Sequence, residues 1–483
     1  MLTKLEFKKE ANFIGGEWVQ ANSGKTISVL DPATGEMFGK VPSCGKAETA
    51  RAIAAAEAAF PAWRKKTAAE RSAMLMTLAS LLREHVEALG TILTMEQGKP
   101  LAEAKGEVLG SAAYVQWFAE EAKRAYGDVI PSPWGDRRIL VTKEPVGVVA
   151  AITPWNFPSS MIGRKLGAAL AAGCTIVIKP ASQTPFSALV WGAMCEKAGI
   201  PAGVVNIVTG SASEIGGELT SNPAVRKISF TGSTEIGKLL MAQAATTMKR
   251  CSMELGGNAP FIVFDDADID RAVAGAVLAK YRNAGQTCVC TNRFYVQAGV
   301  HDLFAEKLAA AVSQMKVGNG LDAGVAVGPL IDMKAVEKVE EHIADATAKG
   351  GTIVTGGKRH KLGGSWFEPT IVKGVTQDAK VATDETFGPL APIFKFETEE
   401  QVIGWANATE YGLASYFYTR DLARAFRVSE ALKYGMVGIN EGLITTEVAP
   451  FGGVKESGMG KEGSKYGLDD YMDIKYVCIG GIA

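Results

Sequence analysis

Three short segments of this chain could serve catalysis, one with a nucleophile, one with a base and one with a site for a phosphate. In NAGQTCVCTNR, Cys288 stands between a threonine and a valine, in a glycine-containing loop after a helical stretch. A cysteine thiolate is a strong nucleophile when its pKa is depressed and the sulfur is accessible. In MELGGNAPFIVF, Glu254 precedes two glycines and an apolar strand. A carboxyl group at such an apolar junction can have its pKa raised and serve as a general base. In SFTGSTEIG, a strand runs into Gly232 and Ser233 and then into a helix. Backbone N–H groups at a helix start face outward, and the macrodipole there favours a phosphate. Each segment also has a plainer reading when taken alone. Free cysteine is among the most buried residue types, a glutamate before glycines suits a solvated turn, and a lone glycine turn is a weak signal. Cys290 adds a C-x-C spacing, which without a second pair says little about metal or redox chemistry.

These segments need a frame to hold them. From about residue 146, VGVVAAI reads as a strand buried on both faces. The turn TPWNFP follows, then a helical stretch to Gly173, the strand TIVIK and a helix from about Pro185 to Lys197. The strand VVNIV, a short helix, the strand RKISF and another helix come next. This alternation predicts a doubly wound parallel α/β sheet. FIVFDDADIDRAV opens a second α/β region, which holds Cys288 and the strands RFYVQ and GTIVTGG. Upstream, residues 47–123 read as two or three long helices from apolar residues at three- and four-residue spacing. RRILVTKEP, residues 137–145, and the tail LDDYMDIKYVCIG are outlying strands of the kind that pair with another subunit.

Composition narrows the classes. A chain of 483 residues is too long for one core and predicts two or three domains. Its 51 Lys+Arg balance 52 Asp+Glu, and no basic block stands out, so no nucleic-acid partner is expected. The start MLTKLEFKKEANF has no secretory pattern, and no apolar run approaches the ~20 residues of a membrane span, so a soluble, cytoplasmic chain without membrane contact is expected. Seven cysteines at irregular spacing argue against a disulfide scaffold. His85, His301, His342 and His360 lie far apart in charged surroundings and read as surface histidines, with no metal site.

Seven motifs then occur in order along essentially the whole chain: ITPWNFP, IVIKPASQTP, FTGSTEIG, MELGGNAP, NAGQTCVC, DETFGPLAPI and APFGGVKESGMG. Together they resemble the aldehyde dehydrogenase superfamily. The resemblance implies that Cys288 attacks the aldehyde, that Asn156 and the Cys288 N–H hold the oxyanion, and that Glu254 activates water to hydrolyse the thioester. Relatives that transfer the acyl group to CoA tend to lack this glutamate. For the nucleotide, the resemblance points to Trp155, Asn156, Lys179, Gly232, Ser233, Leu255, Glu385 and Phe387. Ser182 stands where many NAD-preferring relatives carry glutamate, which implies NADP as cofactor, with NAD usable too. The implied division is a nucleotide-binding domain over residues 1–130 and 146–254, a catalytic domain over 255–450, and small β oligomerisation strands over 131–145 and 460–483. The implied assembly is a homotetramer or homodimer.

Within the superfamily, EVAPFGG and EGSKYG join the other motifs in resembling the succinate-semialdehyde branch. Its substrate is a small aldehyde with a distal carboxylate. Arg164 and Arg282 match the branch's carboxylate-binding arginines, a task that suits a bidentate guanidinium. Thr445 replaces the branch's usual serine and adds a methyl group near the substrate tail, which leaves glutarate semialdehyde or a broader aldehyde range open. A catalytically dead binding protein is the reading from another class, and the intact Cys288, Glu254, Asn156 and Lys179 argue against it. Cys290 is a candidate redox partner for Cys288.

Overall fold

The computed structural model of the chain describes residues 5–482. Its first sheet has five parallel strands at the centre, in the order Arg250–Glu254, Val225–Thr231, Val148–Ile152, Thr175–Lys179, Val205–Ile207. Their apolar runs are buried on both faces, as the sequence pattern predicts. The chain starts on Val148–Ile152, steps outward through two strands, then returns to the other side. The order therefore reverses beside Ile152, which pairs with both Lys179 and Phe230. Crevices at such reversals, outside the carboxyl ends of the strands, are where open α/β sheets bind ligands. The two ends of the chain close this sheet. Asn12–Ile14 and Glu17–Val19 extend one edge, and Gly458–Met459 pairs with Arg250–Glu254 at the other.

The second sheet runs Thr352–Thr355, Thr370–Lys373, Leu390–Phe396, Thr291–Gln297, Ala259–Val263, Ala414–Tyr418, Met436–Ile439. All its neighbours are parallel except at the first, edge strand. The two outlying strands of the sequence pair with each other inside one chain. Met472–Gly480 lies antiparallel along the full length of Arg137–Pro145, and Asp128–Ile130 completes a three-stranded sheet. Val129, Ile474 and Tyr476 on it are exposed.

The upstream helical region differs from expectation. It holds four helices, Lys46–Lys65, Ala68–Glu84, Val86–Gln97 and Leu101–Glu121, where periodicity suggests two or three. The breaks are short and local. Thr67 and Glu70 form a reciprocal capping box, His85 alone separates two helices, and Gly98 ends the third at φ +95 just before Pro100. Two histidines also correct the surface reading. His342 is 2% exposed because it falls on the buried stripe of helix Met333–Ala348 with Val336, Val339 and Ile343, and its Nδ1 is 3.0 Å from the Thr386 hydroxyl. His301 is buried as well. Among the described residues no helix is long and apolar enough to cross a membrane, and no group of three ligating side chains could hold a metal ion.

Helix Ser160–Ala172 is buried along its whole length and packs on helix Leu101–Glu121. Gly163 and Gly167, one turn apart, permit the close approach. A Cβ at Gly163 would lie 3.2 Å from the Ser111 Cα, and one at Gly167 would lie 3.3 Å from the Phe118 ring and 3.4 Å from the Val115 Cα. Arg164 is carried on the same turn. Replacing Gly167 with valine should cost about 1–3 kcal/mol by overpacking. The check is the thermal midpoint of the purified variant, expected to fall. An unchanged midpoint would mean that this helix pair has slack.

Candidate active site

Helix Ile269–Tyr281, capped by Asp268, delivers the chain to the Cys288 loop. Asn283 (φ 51), Ala284 (φ 54) and Gly285 (φ 75) then turn left-handed in succession, a conformation that costs non-glycine residues energy. Gly285 is required for space as well. A Cβ there would sit 2.2 Å from the Gly388 carbonyl oxygen. Contacts from distant elements hold the turn. The Asn283 backbone N–H donates to Glu103 Oε2 at 2.8 Å, and Gln97 Nε2 donates to Asn283 Oδ1 at 3.0 Å. Asn283 Nδ2 donates to the Asn156 carbonyl at 2.9 Å, and the Ile331 N–H donates to Gln286 Oε1 at 2.9 Å. Gly257 lets the LGGN segment pass against the loop, since a Cβ there would lie 2.4 Å from the Cys288 carbonyl oxygen.

Cys288 is half-buried and belongs to the walls of two cavities. One, of about 320 Å³, is bordered by Arg164, Arg282 and Thr445, together with Tyr114, Phe157 and Phe451. The other, of about 290 Å³, lies at the carboxyl ends of the first sheet's strands. It is bordered by Trp155, Asn156, Gly232, Ser233, Glu254, Leu255, Glu385 and Phe387. The structure thus brings twelve of the sequence-derived positions onto these two walls: four on the first and nine on the second, with Cys288 on both. Lys179 and Ser182 lie outside both linings, at the end of the strand beside Ile152. There the Thr153 N–H donates to the Lys179 carbonyl at 3.1 Å. Cys290 is a free thiol, buried away from either cavity, with Lys280 Nζ 3.3 Å from its sulfur.

Charges in the first cavity are arranged unequally. Arg164 is buried between the rings of Tyr114 and Phe451, at 4.7 and 4.3 Å. Its Nη1 lies 3.4 Å from Glu462 Oε2, and its Nε has no partner. Lys165 Nζ holds the other Glu462 oxygen at 2.5 Å. Arg282 rests over the Phe157 ring at 5.3 Å and has no carboxylate within 4.0 Å among the described residues. Both guanidiniums border the cavity, Arg164 already paired with Glu462 and Arg282 without a carboxylate partner among the described residues.

The second cavity opens on a helix start. Ser233 caps helix Thr234–Ala244, so that helix's N-terminus opens on the cavity. Trp155 meets Phe387 edge-on at 5.6 Å, and Phe387 holds φ 56. Glu385 accepts from the Gly257 N–H at 3.2 Å, and burial pushes its carboxyl up to about 7. Glu254 ends its strand fully buried, with neither carboxylate oxygen hydrogen-bonded. Burial, then the charge of Glu462, raises its pKa well above the usual carboxylate range. It is therefore not the solvated turn residue that its motif alone suggests. Among the described residues Lys179 Nζ donates only to the Pro180 carbonyl, at 3.0 Å, and burial draws its ammonium down to about 8. The sequence reading missed Tyr114, Phe157 and Met161 on the first wall and Lys338 on the second. Tyr114 and Lys338 come from helices far from any motif. Phe157 lies inside TPWNFP and was legible as part of that motif.

A profile of the aldehyde dehydrogenase family matches residues 18–477. The chain belongs to the aldehyde dehydrogenase family. It is 63% identical over 476 residues to a glutarate-semialdehyde dehydrogenase of Pseudomonas aeruginosa, covering 99% of this chain and 98% of that one. It is 62% identical over 474 residues to the NADP(+) succinate-semialdehyde dehydrogenase of Escherichia coli, covering 98% of each. The crystal structure of succinate-semialdehyde dehydrogenase from Burkholderia pseudomallei matches the fold with a TM-score of 0.98 at 61% identity, over 98% of both chains. The family's fold, expected from the sequence, is the fold observed.

Burial, then the charge of Glu385, pushes the Cys288 thiol up to about 12, against the opposing pull of Arg164. The resting sulfur is therefore protonated at neutral pH. Iodoacetamide labelling of Cys288 in the enzyme without nucleotide should quicken about tenfold per pH unit from about pH 7 to about pH 9, as the thiolate fraction grows. A plateau in that range, read by mass spectrometry of the labelled peptide, would show a thiol that ionises earlier than its surroundings imply.

Proposed function

We propose that this chain oxidises succinate semialdehyde to succinate with NADP, using NAD as a second acceptor, through a thioester on Cys288. As a member of its family it is an NAD(P)-dependent oxidoreductase. One observation carries the finer reading: a single thiol is shared by a cavity that presents two arginines and a cavity built like a nucleotide cradle. The E. coli relative named for succinate semialdehyde and NADP(+) supports the same choice.

The chain's own residues account for the steps. The Cys288 thiol gives up its proton to solvent, and the resulting thiolate adds to the aldehyde carbon and leaves an oxyanion. Asn156 Nδ2 gives one hydrogen to the Gln286 carbonyl at 3.0 Å, so its second hydrogen is available to that oxyanion. The bonds that fix Asn156 are made before substrate arrives, so no reorganisation is needed as charge develops. Arg282 and Arg164 take the distal carboxylate and align the carbonyl with the sulfur. The Ser233 helix start, Glu385 and the Trp155–Phe387 pair would hold the nucleotide, with Lys179 and Ser182 toward its adenosine end. When bound, the nucleotide supplies the hydride acceptor. Glu254, once ionised, takes a proton from water, which attacks the thioester carbon and releases the acid with Cys288 free. Its raised pKa makes it a stronger base than an ordinary carboxylate and confines the step to higher pH.

Glutarate semialdehyde is the second reading. It carries the same distal anion one methylene further out, and the P. aeruginosa relative is named for it. Thr445 and Leu443 border the cavity where that methylene would lie. One methylene commonly separates substrates by only about ten- to two-hundredfold. For assembly, we infer a homodimer or homotetramer formed through the three-stranded sheet, because Val129, Ile474 and Tyr476 leave apolar surface uncovered on it.

Two variants test these readings. Arg282→Ala should lower kcat/KM for succinate semialdehyde by at least about thirtyfold while leaving propanal within a few-fold, because only the carboxylated substrate loses a charged partner. Equal losses on both substrates would remove Arg282 from the clamp. Ser182→Glu should depress kcat/KM with NADP and spare NAD, since a carboxylate there repels a 2′-phosphate. Unchanged NADP kinetics would place the phosphate elsewhere.

A further inference from the structure

Lys99 is fully buried between the helices Val86–Gln97 and Leu101–Glu121, in a segment without any motif read for chemistry. Its Nζ donates to Glu107 Oε2 at 2.6 Å and to the Asn156 carbonyl at 2.7 Å. The ammonium also lies 3.7 Å from the centre of the Phe157 ring, the residue after Asn156. Glu107 uses its other oxygen on the same turn, accepting the N–H groups of Ser159 and Ser160 at 2.9 and 3.0 Å. The Asn156 carbonyl takes a second donor, Asn283 Nδ2, from the turn that precedes Cys288. Gln97 ties the two together. It donates to Asn283 Oδ1 at 3.0 Å and accepts the Lys99 N–H at 3.0 Å.

These bonds converge on one peptide plane. The Asn156 side-chain amide and this carbonyl both hang from the Asn156 Cα, so bonds that anchor the carbonyl also anchor the backbone frame from which Nδ2 is aimed. Two donors anchor it, and one of them is an ammonium whose bond is charge-assisted and screened from water. Burial pulls the Lys99 pKa down, while the Glu107 charge holds it up. Removing either partner alone leaves an uncompensated buried charge, which is why an ion pair in this place is costly to break.

We propose that Lys99, balanced by Glu107, is a positioning residue for the reaction: it clamps the Asn156 carbonyl so that the Asn156 amide stands ready at the aldehyde oxygen. The inference rests on the reading of Asn156 as oxyanion donor and extends it to a residue that touches neither substrate nor nucleotide. It differs from the arginine clamp in scope. An oxyanion forms on every aldehyde, so loss of Lys99 should be blind to the substrate's tail.

The experiment compares Lys99→Met, Glu107→Gln, the double variant Lys99→Met/Glu107→Gln and Asn156→Ala. The double variant removes both charges together and so keeps the test open if a single variant fails to fold. The readout is the pre-steady-state burst of reduced nucleotide with succinate semialdehyde and with propanal. Loss of an oxyanion donor costs about 10²–10³-fold, and a displaced donor should cost about tenfold or more. The expected result is a burst slowed to this degree for both aldehydes, with Cys288 alkylation and the NADP dissociation constant within about twofold of the parent enzyme. Adding Lys99→Met to Asn156→Ala should slow the burst no further, because both changes act through one amide. A normal burst in the Lys99 and Glu107 variants alongside a slow one in Asn156→Ala overturns this inference and leaves the oxyanion reading standing. A normal burst in Asn156→Ala overturns the oxyanion reading itself. A slowed burst accompanied by an equal loss of alkylation and NADP binding shows that Lys99 only holds the fold, and overturns the inference too.

Discussion

Three consecutive residues in the left-handed region, Asn283 to Gly285, fix where Cys288 stands, and most of the surrounding architecture serves that turn. Such a run is unstable on its own and persists only when neighbours over-determine it. Here the neighbours come from three directions. Glu103 and Gln97 belong to the helical layer, Asn156 to the turn that follows the first sheet's strand Val148–Ile152, and Gly388 and Ile331 to the second region. The sulfur therefore stands where these parts meet, which is why it can border two cavities.

Around that point the protein tolerates buried charge unevenly. Lys99 with Glu107, and Lys165 with Glu462, are paired inside the fold. Glu254, Arg282 and the Nε of Arg164 are not. Unpaired groups of this kind cost stability, and natural folds keep them where a ligand or a reaction supplies the missing partner. The contrast separates scaffold from chemistry. Paired ions hold backbone segments in place, and the unpaired groups belong to residues that border the cavities.

Much of this was legible in the sequence because it is local. Apolar runs mark the parallel strands, and the motifs put Trp155, Asn156, Gly232 and Glu254 at the ends of strands or just beyond them, and Cys288 in the loop before the strand Thr291–Gln297. What escaped was set by contacts between distant segments. Lys99 meets Asn156 across 57 positions, and His342 meets Thr386 across 44. No periodicity records which residue either one meets. His342 sits in an acidic run that reads as a solvated face, yet its spacing from Val336 and Val339 carries it inward. The fourth helix of the upstream layer was hidden by a junction of one residue, His85, too short for a pattern of apolar spacing to register.

The last stretch of chain does more than finish a sheet. Gly458–Met459 pairs with the strand that ends in Glu254, and Glu462 is the carboxylate that Arg164 and Lys165 hold. Met472–Gly480 then covers Arg137–Pro145. On a ribosome, which releases the N-terminal portion first, the early α/β layers emerge with two buried cations still lacking their counter-ion. The arginine beside the thiol acquires its final setting only once Glu462, 298 residues later in the chain, has been added. A nascent chain that stops short of Glu462 thus carries the nucleophile without the surroundings that discipline it.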